Sequence, residues 1–260
     1  MKRLALFSGK GGTGKTTLAA CFTHLAGDVV AVDCDVDAAN LALILPGQDE
    51  PARDFHSGLR AQVAPERCIR CGRCLDQCRF GALRAPSGEL PVVDTLRCEG
   101  CRACAWSCPT DALSFTPNLA GTWTIRTLAT GLLVHASLGI AQDNSGKLVA
   151  RVRQEADRLA REQGLDVIID GPPGIGCPVH AAMSQVHQIL VVVEPTPSGK
   201  HDLVRLLDTA DHFGIPTTAA VNKHDLAPEW TTRIERSCRA RGVPVLGRVP
   251  FDRRVPAALV

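Results

Sequence analysis

The sequence predicts one α/β domain that carries a small cysteine-rich insert. Two features indicate the α/β part: apolar runs of strand length alternate with helical stretches, and a glycine-rich loop joins the first strand to the first helix. The insert is indicated by the cysteines, because eight of the twelve fall between Cys68 and Cys108. A length of 260 residues and a hydrophobic content of 45% suit one such domain with a full core.

The glycine-rich loop lies between a strand predicted over Leu4–Phe7 and a helix predicted over Leu18–Ala26. Its sequence matches G-x-x-x-x-G-K-[ST], a pattern whose backbone N–H groups surround phosphates. The lysine before the helix reaches the β and γ phosphates, and the following hydroxyl holds Mg²⁺. The predicted nucleotide-binding residues of the loop are Gly9, Lys10, Gly11, Gly12, Thr13, Gly14, Lys15, Thr16 and Thr17.

Charge and hydropathy exclude several other kinds of protein. The formal net charge is +2 and no basic block occurs, so nothing indicates a nucleic-acid partner. No apolar run approaches the length of a membrane span, and no signal peptide precedes the first strand. We therefore expect a cytoplasmic protein without stable membrane insertion. In that reducing compartment, so many cysteines indicate metal binding rather than disulfides.

Two cysteine runs share the spacing C-x2-C-x2-C-x3-C, the second thirty residues after the first. The duplication is the pattern of bacterial two-cluster ferredoxins, in which the fourth cysteine of each run ligates the other cluster. Zinc is the alternative for a single C-x2-C pair, and two complete runs disfavour it. One 4Fe–4S cluster is expected on Cys68, Cys71, Cys74 and Cys108. The other is expected on Cys78, Cys98, Cys101 and Cys104.

Arginines flank the predicted ligands, at Arg67, Arg70, Arg73, Arg79, Arg97 and Arg102. Positive charge near a cluster favours its reduced state and raises its potential. A docking face for an acidic electron partner is an equally simple interpretation. Ordinary solvated surface is the third, because Glu66, Asp76 and Glu99 partly offset the charge.

Acidic residues alternate after the second predicted strand, Asp28–Val32, at Asp33, Asp35 and Asp37. Doubly wound sheets bind ligands at the carboxyl ends of their strands, so one interpretation is a nucleotide-sensing segment. The other is a solvated turn that caps the next helix. The chain then becomes polar over Gln48–Arg60, which we predict to be a connection.

The α/β pattern resumes after the insert. A strand hairpin is predicted over Thr122–Leu128 and Leu132–Ala136, followed by a helix over Leu148–Gln163. The wholly apolar run Leu165–Ile169 indicates a buried parallel strand, and Asp170 at its end can hold magnesium through water. Gly174 can present its N–H to a γ-phosphate and lose that contact after hydrolysis.

Two later strands also end at candidate site residues. The strand predicted over Pro216–Val221 is followed by Asn222-Lys-His-Asp, which without context is the guanine-recognition motif N-K-x-D. The last predicted strand, Val243–Val249, leads to Pro250-Phe251-Asp252, where either the backbone or Phe251 can flank a base. Ile189–Val193 is predicted as one more buried strand of the same sheet.

The loop sequence G-K-G-G-T-G-K-T-T resembles that of the deviant Walker A (SIMIBI-type) P-loop ATPases of the MinD/ParA superfamily, which include Mrp-type carriers and the nitrogenase iron protein. In that family Lys10 is the signature residue, and two subunits enclose ATP between them. Asp33–Leu41 resembles the first switch, D-x-D-x-x-x-x-N-L, and Asp170–Gly174 resembles the second, D-x-P-P-G.

The resemblance implies a doubly wound, mostly parallel sheet of about seven or eight strands with an inserted ferredoxin-like domain. The ATPase domain would comprise residues 1–61 and 118–260, and the insert residues 62–117. The implied catalytic residues are Lys10, Lys15, Asp33 and Asp35, the last orienting the attacking water. The implied Mg²⁺ ligands are Thr16, Asp33 and Asp170. Asn222 would contact adenine, which favours ATP, with GTP as the alternative.

Two functions then compete. In the first, MgATP hydrolysis in a nucleotide-dependent homodimer is coupled to electron transfer through two 4Fe–4S clusters, to or from an unidentified protein partner. In the second, the ATP cycle drives a scaffold or carrier that assembles metal clusters or positions a partner. Eight cysteines in a closed ferredoxin arrangement favour stable redox clusters, so electron transfer is the preferred prediction.

Overall fold

The computed structural model describes residues 1–86, 88–140, 142 and 145–258. The chain forms two compact units, each assembled from separate stretches of sequence. The first unit consists of Met1–Arg53, Thr122–Leu138 and Ser145–Val260. The second consists of Asp54–Gly121 and Gly139–Asn144.

The second unit is larger than the predicted insert. It contains all of residues 62–117 together with flanking residues on both sides and a later segment, 139–144. The division at residues 61 and 118 therefore stays a prediction. Leu259 and Val260, at the end of the predicted ATPase domain, lie outside the described residues.

Strands and helices alternate through most of the chain. The strands are β1 (Arg3–Phe7), β2 (Val29–Asp33), β3 (Gly47–Asp49), β4 (Arg53–Val63), β5 (Leu83–Arg84), β6 (Val92–Val93), β7 (Leu113–Leu128), β8 (Leu132–Leu138), β9 (Asp166–Asp170), β10 (Gln188–Val193), β11 (Thr217–Asn222) and β12 (Val245–Val249). The helices are α1 (Lys15–Ala26), α2 (Leu41–Ile44), α3 (Arg73–Gln77), α4 (Ala103–Trp106), α5 (Ser145–Gln163), α6 (Cys177–Met183), α7 (Pro197–His212), α8 (Pro228–Ala240) and α9 (Arg254–Ala258).

Neighbouring strands in the order β12-β11-β10-β1-β9-β2-β8 run parallel to one another. The sheet continues through β7 to β3, which is antiparallel to β7, and β4 also pairs with β7. The predicted α/β fold with a mostly parallel sheet is confirmed. Its strand order places the ends of β1, β9 and β2 side by side, which is where the glycine-rich loop and the two acidic segments begin.

The central strands are apolar because both of their faces are covered. Every residue of β2 is buried, and β9 and β10 are buried beyond their first residue. Helices α1, α5, α7 and α8 pack against these and the neighbouring strands. One core cluster joins Leu6, Ala31 and Leu190 of the sheet to Ala19 and Ala20 of α1. This burial on two sides is the reason that parallel strands appear in sequence as continuous apolar runs.

The prediction of a connection over Gln48–Arg60 is wrong. This segment contains part of β3, which is exposed, and most of β4, in which alternate residues from Phe55 to Val63 are buried or half-buried. The apolar residues Phe55, Leu59, Ala61 and Val63 share one face of β4, so this strand does carry the period-2 pattern by which a strand is recognised in sequence. The sheet accordingly has ten strands among the described residues, rather than seven or eight. Helix α5 also begins at Ser145, before the predicted Leu148.

The second unit has a small core of its own. Ala61, Ala82, Leu83, Cys98 and Cys104 are buried in it, and partly buried apolar side chains such as those of two phenylalanines pack around them. The strands β5 and β6 form a separate antiparallel pair within this unit. Because two of the buried residues are cysteines from the second run, the predicted metal ligands are part of the core itself.

Within the described part of the chain, no helix has both the length and the apolar character that crossing a bilayer requires.

Substitution of Gly171 by alanine tests how tightly the end of β9 is packed. A Cβ at Gly171 would lie 2.3 Å from a ring carbon of Phe7 and 2.7 Å from the carbonyl oxygen of Leu6. Phe7 is fully buried and cannot yield easily. We expect Gly171→Ala to lower the free energy of unfolding by about 1–3 kcal/mol, measured by urea denaturation.

The matched control is Gly247→Ala, since a Cβ at Gly247 meets no atom within 4 Å. It should leave the unfolding midpoint nearly unchanged. Equal midpoints for the two variants would contradict the packing argument.

Candidate functional site

The glycine-rich loop is anchored from the far end of the sequence. The Asn222 side chain, at the end of β11, donates from Nδ2 to the carbonyl oxygen of Thr13 at 2.7 Å. Gly14 precedes α1 with φ 87°, and a Cβ there would lie 2.3 Å from the same Nδ2 atom. The left-handed conformation and the close amide both require glycine at this position. The loop is therefore shaped by β11 as well as by its own sequence.

The loop forms one wall of a cavity of about 720 Å³. Of the predicted site residues, the whole stretch from Lys10 to Thr17 lines it, and so does Asp35. Other walls are formed by the segment after β2 and by Pro172 and Pro173 after β9. The predicted residues Gly9, Asp33, Asp170, Gly174, Asn222 and Pro250 are not among the lining residues.

Asp33 and Asp170 lie beside each other because β2 and β9 pair in that register. Both residues are fully buried. Burial, followed by the neighbouring Asp170 carboxylate, raises the pKa of Asp33, against the lowering effect of N–H groups that it accepts. Lys15 compensates part of this negative charge, since its Nζ lies 2.6 Å from Asp170 Oδ1. Two carboxylates and one ammonium group thus meet at the base of the loop.

Asp33 also organises the segment that follows it. Its Oδ1 accepts from the N–H of Asp35 at 3.0 Å, and its Oδ2 accepts from the N–H groups of Asn40 and Leu41 at 3.1 and 3.0 Å. The polar turn is therefore fixed from inside the protein by a buried side chain. Held in this way, the half-buried Asp35 lines the cavity. Burial raises the pKa of Asp35.

The residues predicted to hold Mg²⁺ fit that ion. Asp170 Oδ2 is buried and has no hydrogen-bond partner among the described residues, so one carboxylate oxygen is available as a hard ligand. The Thr16 hydroxyl lies close by, with Oγ1 3.5 Å from Lys15 Nζ. Asp33, whose two oxygens already accept three N–H groups, would act on the ion through water. The roles of all three residues stay predictions.

The side chain of Lys10 contacts other side chains of the same chain. Its Nζ lies 3.3 Å from Oε2 of Glu194, which directly follows β10, and 3.4 Å from Oγ of Ser198, in the first turn of α7. Glu194 also pairs with Lys223, whose Nζ donates to the carbonyl oxygen of Gly12 at 2.9 Å. Lys223 is the lysine of the N-K-x-D match, whereas Glu194 belongs to no motif. No local spacing could have predicted that Glu194 and Lys223 contact each other beside the loop, because they meet there only through the parallel order of β1, β10 and β11.

Two other predicted residues, Gly174 and Asn222, have hydrogen-bond partners in the protein, and a third, Pro250, lies outside the cavity. Gly174, with φ 88°, donates its N–H to the carbonyl oxygen of Ser8 at 3.1 Å. Asn222 holds the loop as described, so its predicted contact with a base stays a prediction. Pro250 is exposed and lies away from the cavity lining, and the following residue, Phe251, donates its N–H to Asp225 Oδ1 at 2.7 Å.

In the second unit, the predicted ligands gather around two separate cavities. One cavity is lined by Cys68, Cys71, Cys74 and Cys108. The other is lined by Cys78, Cys98, Cys101 and Cys104. Each set takes three thiols from one run and the fourth from the other, as the ferredoxin spacing predicts. Among the described residues no three metal-binding side chains converge on a single-ion centre.

The thiols of each set lie close enough together to raise one another's pKa. Burial, followed by the thiols of Cys68, Cys71 and Cys108, raises the pKa of Cys74. Burial and the neighbouring thiols of its own set likewise raise the pKa of Cys104. Closely spaced thiols disfavour ionisation unless a positive centre lies between them. The chemistry of both donor sets therefore fits a metal cluster.

Backbone conformation repeats with the same period as the cysteines. Left-handed residues occur at three equivalent pairs of positions: Arg70 and Gly100, Gly72 and Arg102, Gly81 and Asp111. N–H groups also point at equivalent sulfurs, from Ala82 to Cys78 and from Ala112 to Cys108, both at 3.3 Å. The duplication is thus one of three-dimensional structure, although the residue types at paired positions differ.

A loop of this shape between a parallel strand and a helix, facing a buried carboxylate on the adjacent strand, is the nucleotide site of a P-loop NTPase. Fold and site together assign the protein to that class. Within it, residues 4–260 match the family described as the CobQ/CobB/MinD/ParA nucleotide binding domain, and the chain belongs to that family. Members of the MinD and ParA branches are ATPases.

Curated relatives come from Methanocaldococcus jannaschii. The uncharacterized protein MJ0578 is 33% identical over 224 residues, which cover 85% of this chain and 78% of the relative. The uncharacterized ferredoxin MJ0722 is 41% identical over 54 residues, which cover 20% of this chain and 70% of the relative. The first match spans most of the chain, whereas the second is confined to a short part of it.

Solved structures share the fold. The septum site-determining protein MinD of Pyrococcus horikoshii, in complex with Mg-ADP, superposes with a TM-score of 0.56 at 18% identity, covering 99% of this chain and 84% of that one. The McdA(D38A)–ATP complex of Cyanothece gives a TM-score of 0.56 at 17% identity, covering 100% of this chain and 86% of that one.

Replacing Asn222 by alanine distinguishes an effect on the loop from a contact with the base. The variant loses the hydrogen bond to Thr13, so the loop should hold phosphates less well. We expect the affinity for ATP and for inorganic tripolyphosphate to fall together, by between about threefold and tenfold in isothermal titration calorimetry.

Asp225→Asn is the control, because Asp225 is exposed and does not touch the loop. It should keep both affinities. An Asn222→Ala variant that loses affinity for ATP alone would instead identify a base contact.

Proposed function

We propose that the protein is a Mg²⁺-dependent ATPase whose nucleotide cycle is coupled to electron transfer through two 4Fe–4S clusters in the second unit. The observation that carries this proposal is the division of eight cysteines into two interleaved sets of four around two cavities. Similarity of a short part of the chain to a ferredoxin supports it. Each cluster would supply a one-electron redox centre, and the cysteines would hold it.

ATP is the proposed nucleotide. The relatives of known structure include one with Mg-ADP and one with ATP. In a guanine site, the carboxylate after the N-K-x motif accepts from the base, whereas here Asp225 Oδ1 accepts from the N–H of Phe251. That contact favours adenine over guanine, since it occupies one of the oxygens that guanine would need.

The roles proposed for the residues of the first unit follow from their present partners. Lys15 donates to Asp170, and Gly174 donates to Ser8, so both groups would exchange a protein acceptor for phosphate oxygens when ATP binds. Release of Lys15 would leave both Asp170 oxygens to Mg²⁺ and its water shell. Asp35, half-buried at the cavity, would orient the attacking water.

Homodimer formation is part of the proposal. Lys10 has no role in shaping the loop, because its side chain turns away to Glu194 and Ser198. It is therefore available to reach phosphates that a second subunit holds, as its resemblance to the signature lysine implies. A relationship to Mrp-type carriers and the nitrogenase iron protein is proposed on the same ground. We propose a cytoplasmic location, since the cysteines would then stay reduced.

A second candidate is a scaffold or carrier that positions a partner or assembles metal clusters. The matched structures favour it, because their names describe a septum site-determining protein and a complex of MinD with MinC. The buried thiols argue against cluster delivery, since Cys98 and Cys104 are each only 8% exposed. A cargo cluster has to leave its site, and these two ligands would have to leave the core of the unit with it.

Iron and acid-labile sulfide analysis tests the metal content. Protein purified anaerobically should contain about eight irons and eight sulfides per chain. Cys108→Ser should disturb the set that contains Cys68 and leave the EPR signal of the other set. The matched control is Cys21→Ser, an exposed cysteine of the first unit, which should keep full iron. Zinc, or iron for a single cluster, would overturn the proposal.

Redox titration monitored by EPR tests the coupling of ATP to electron transfer. If nucleotide affinity differs tenfold between the oxidised and reduced protein, the potential of a one-electron centre shifts by about 59 mV on binding. We expect potentials measured with ADP and with a non-hydrolysable ATP analogue to differ. The difference should vanish in Lys15→Ala, which retains the cysteines. Identical potentials in the unmodified protein would favour the scaffold instead.

A further inference from the structure

The two halves of the duplicated cysteine segment differ in charge. The stretch from Cys68 to Cys74, with the residue before it, contains three arginines and no acidic residue: Arg67, Arg70 and Arg73. The equivalent stretch in the second run contains Arg97 and Arg102 together with Glu99. Where the first half has an apolar Ile69, the second half has that glutamate. Glu66 and Asp76 flank the first stretch, but among the described residues no acidic side chain lines the first cavity, whereas Glu99 lines the second. The net positive charge of the cavity lining is therefore greater at the first cavity.

Ion pairs within the second unit increase this difference in charge between the two halves. Arg97 lies 3.5 Å from Asp94, which is also 3.9 Å from Arg84. The position equivalent to Asp94 in the first half is an alanine, Ala64. Within the described part of the chain, Arg67 and Arg73 form no ion pair, and both are exposed. Their charges are therefore directed to solvent and to whatever approaches the first cavity.

The two cavities also differ in depth. In the second set, Cys98 and Cys104 are buried, whereas no cysteine of the first set is. Ile69, Arg70 and Arg73 line the first cavity. Ile69 is 62% exposed and stands among the three arginines in sequence. An exposed apolar residue that lines a cavity together with arginines has the composition of a protein-docking surface, with a small apolar centre and a charged rim.

We propose that Arg67, Arg70 and Arg73, around Ile69, form the docking surface for a small acidic electron-carrier protein. The inference rests on the proposed function, because it assigns a partner class to one of the two proposed clusters. Charge complementarity identifies the occupant. Arg70 donates to the carbonyl oxygen of Gly88 at 3.0 Å, but none of the three arginines has a carboxylate partner among the described residues. Their charges therefore favour a partner with surface carboxylates and repel a basic one. A reduced carrier docked there would give up one electron and be oxidised, and the cluster that Cys68, Cys71, Cys74 and Cys108 would hold would gain that electron, with no bond made or broken.

The exposure of the first cluster site also supports the proposed docking surface. The carrier would contact the more exposed cluster site, which shortens the path of the electron to the partner. Positive charge and solvent both favour the reduced, more negative state of a cluster, so an incoming electron would be stabilised at this site rather than at the buried one. Arg102 lines the second cavity too, but Glu99 lines it beside that arginine and the nearby Arg97 pairs with Asp94, so this cavity offers an acidic partner less net positive charge.

The test compares two variants of the full-length protein that each remove two positive charges from the same unit. Arg67→Gln/Arg73→Gln alters the proposed surface. Arg84→Gln/Arg97→Gln alters two arginines that pair with Asp94. The probe is a purified ferredoxin of strongly negative net charge, and a basic cytochrome of similar size is the control. Binding is measured by isothermal titration calorimetry under anaerobic conditions at low and at physiological salt.

We expect the acidic ferredoxin to bind the unmodified protein at low salt, with affinity that falls steeply as salt rises, and the basic cytochrome not to bind. Arg67→Gln/Arg73→Gln should weaken binding about tenfold and flatten the salt dependence. Arg84→Gln/Arg97→Gln should change affinity by less than about twofold. Equal losses in both variants, or no binding to the unmodified protein, would overturn the proposal.

Iron content separates the failure of this inference from failure of the proposed function. Both variants keep all eight cysteines, so iron and sulfide are measured before binding in each preparation. Full iron with unselective or absent binding would overturn the docking surface and leave the clusters in place. Absence of cluster iron from the unmodified protein would overturn the proposed function and this inference with it.

Discussion

The pairing of Asp33 with Asp170 across two parallel strands is the contact on which the nucleotide site depends. Two buried carboxylates at adjacent strand ends repel each other, and the fold tolerates them because Lys15 and several N–H groups face them. In this way the same few atoms fix the glycine-rich loop, the acidic turn and the end of β9. A ligand that competes for Lys15 would act on all three segments at once.

The two units bring the residues of their sites together in different ways. In the first, residues from distant parts of the chain meet because parallel strands end at one edge of a sheet, as when Asn222 bonds Thr13. In the second, short loops fold back on themselves, and left-handed residues such as Arg70 and Asp111 turn the backbone around each cavity. A non-glycine residue in that conformation costs about 1 kcal/mol, so something in the unit has to offset it. Cluster binding would supply that energy.

How much the sequence could predict depended on the range of the interactions. The loop from Gly9 to Thr17 and the two sets of cysteines have fixed local spacings, so their positions could be predicted without a fold. Strand β3 could not be predicted, because its three exposed residues carry no periodic pattern, whereas the alternation of β4 from Phe55 to Val63 was present in the sequence and indicates a strand. Glu194 could not be identified either, since its importance arises only from the neighbours that the sheet order gives it. Sites built from residues close together in sequence could be predicted, and contacts between residues distant in sequence could not.

Glu194 has a consequence for the energetics of Lys10. This carboxylate accepts from two lysines, and Lys223 keeps its contact with both Glu194 and Gly12 whatever Lys10 does. If Lys10 leaves, Glu194 still has Lys223 as its counter-charge, and Lys223 still holds the loop through its hydrogen bond to Gly12. The displaced lysine gives up one half-exposed ion pair, a loss that solvent largely compensates. In the proposed homodimer, Lys10 would therefore be able to leave Glu194 for phosphates held by the second subunit while Lys223 still holds the binding loop.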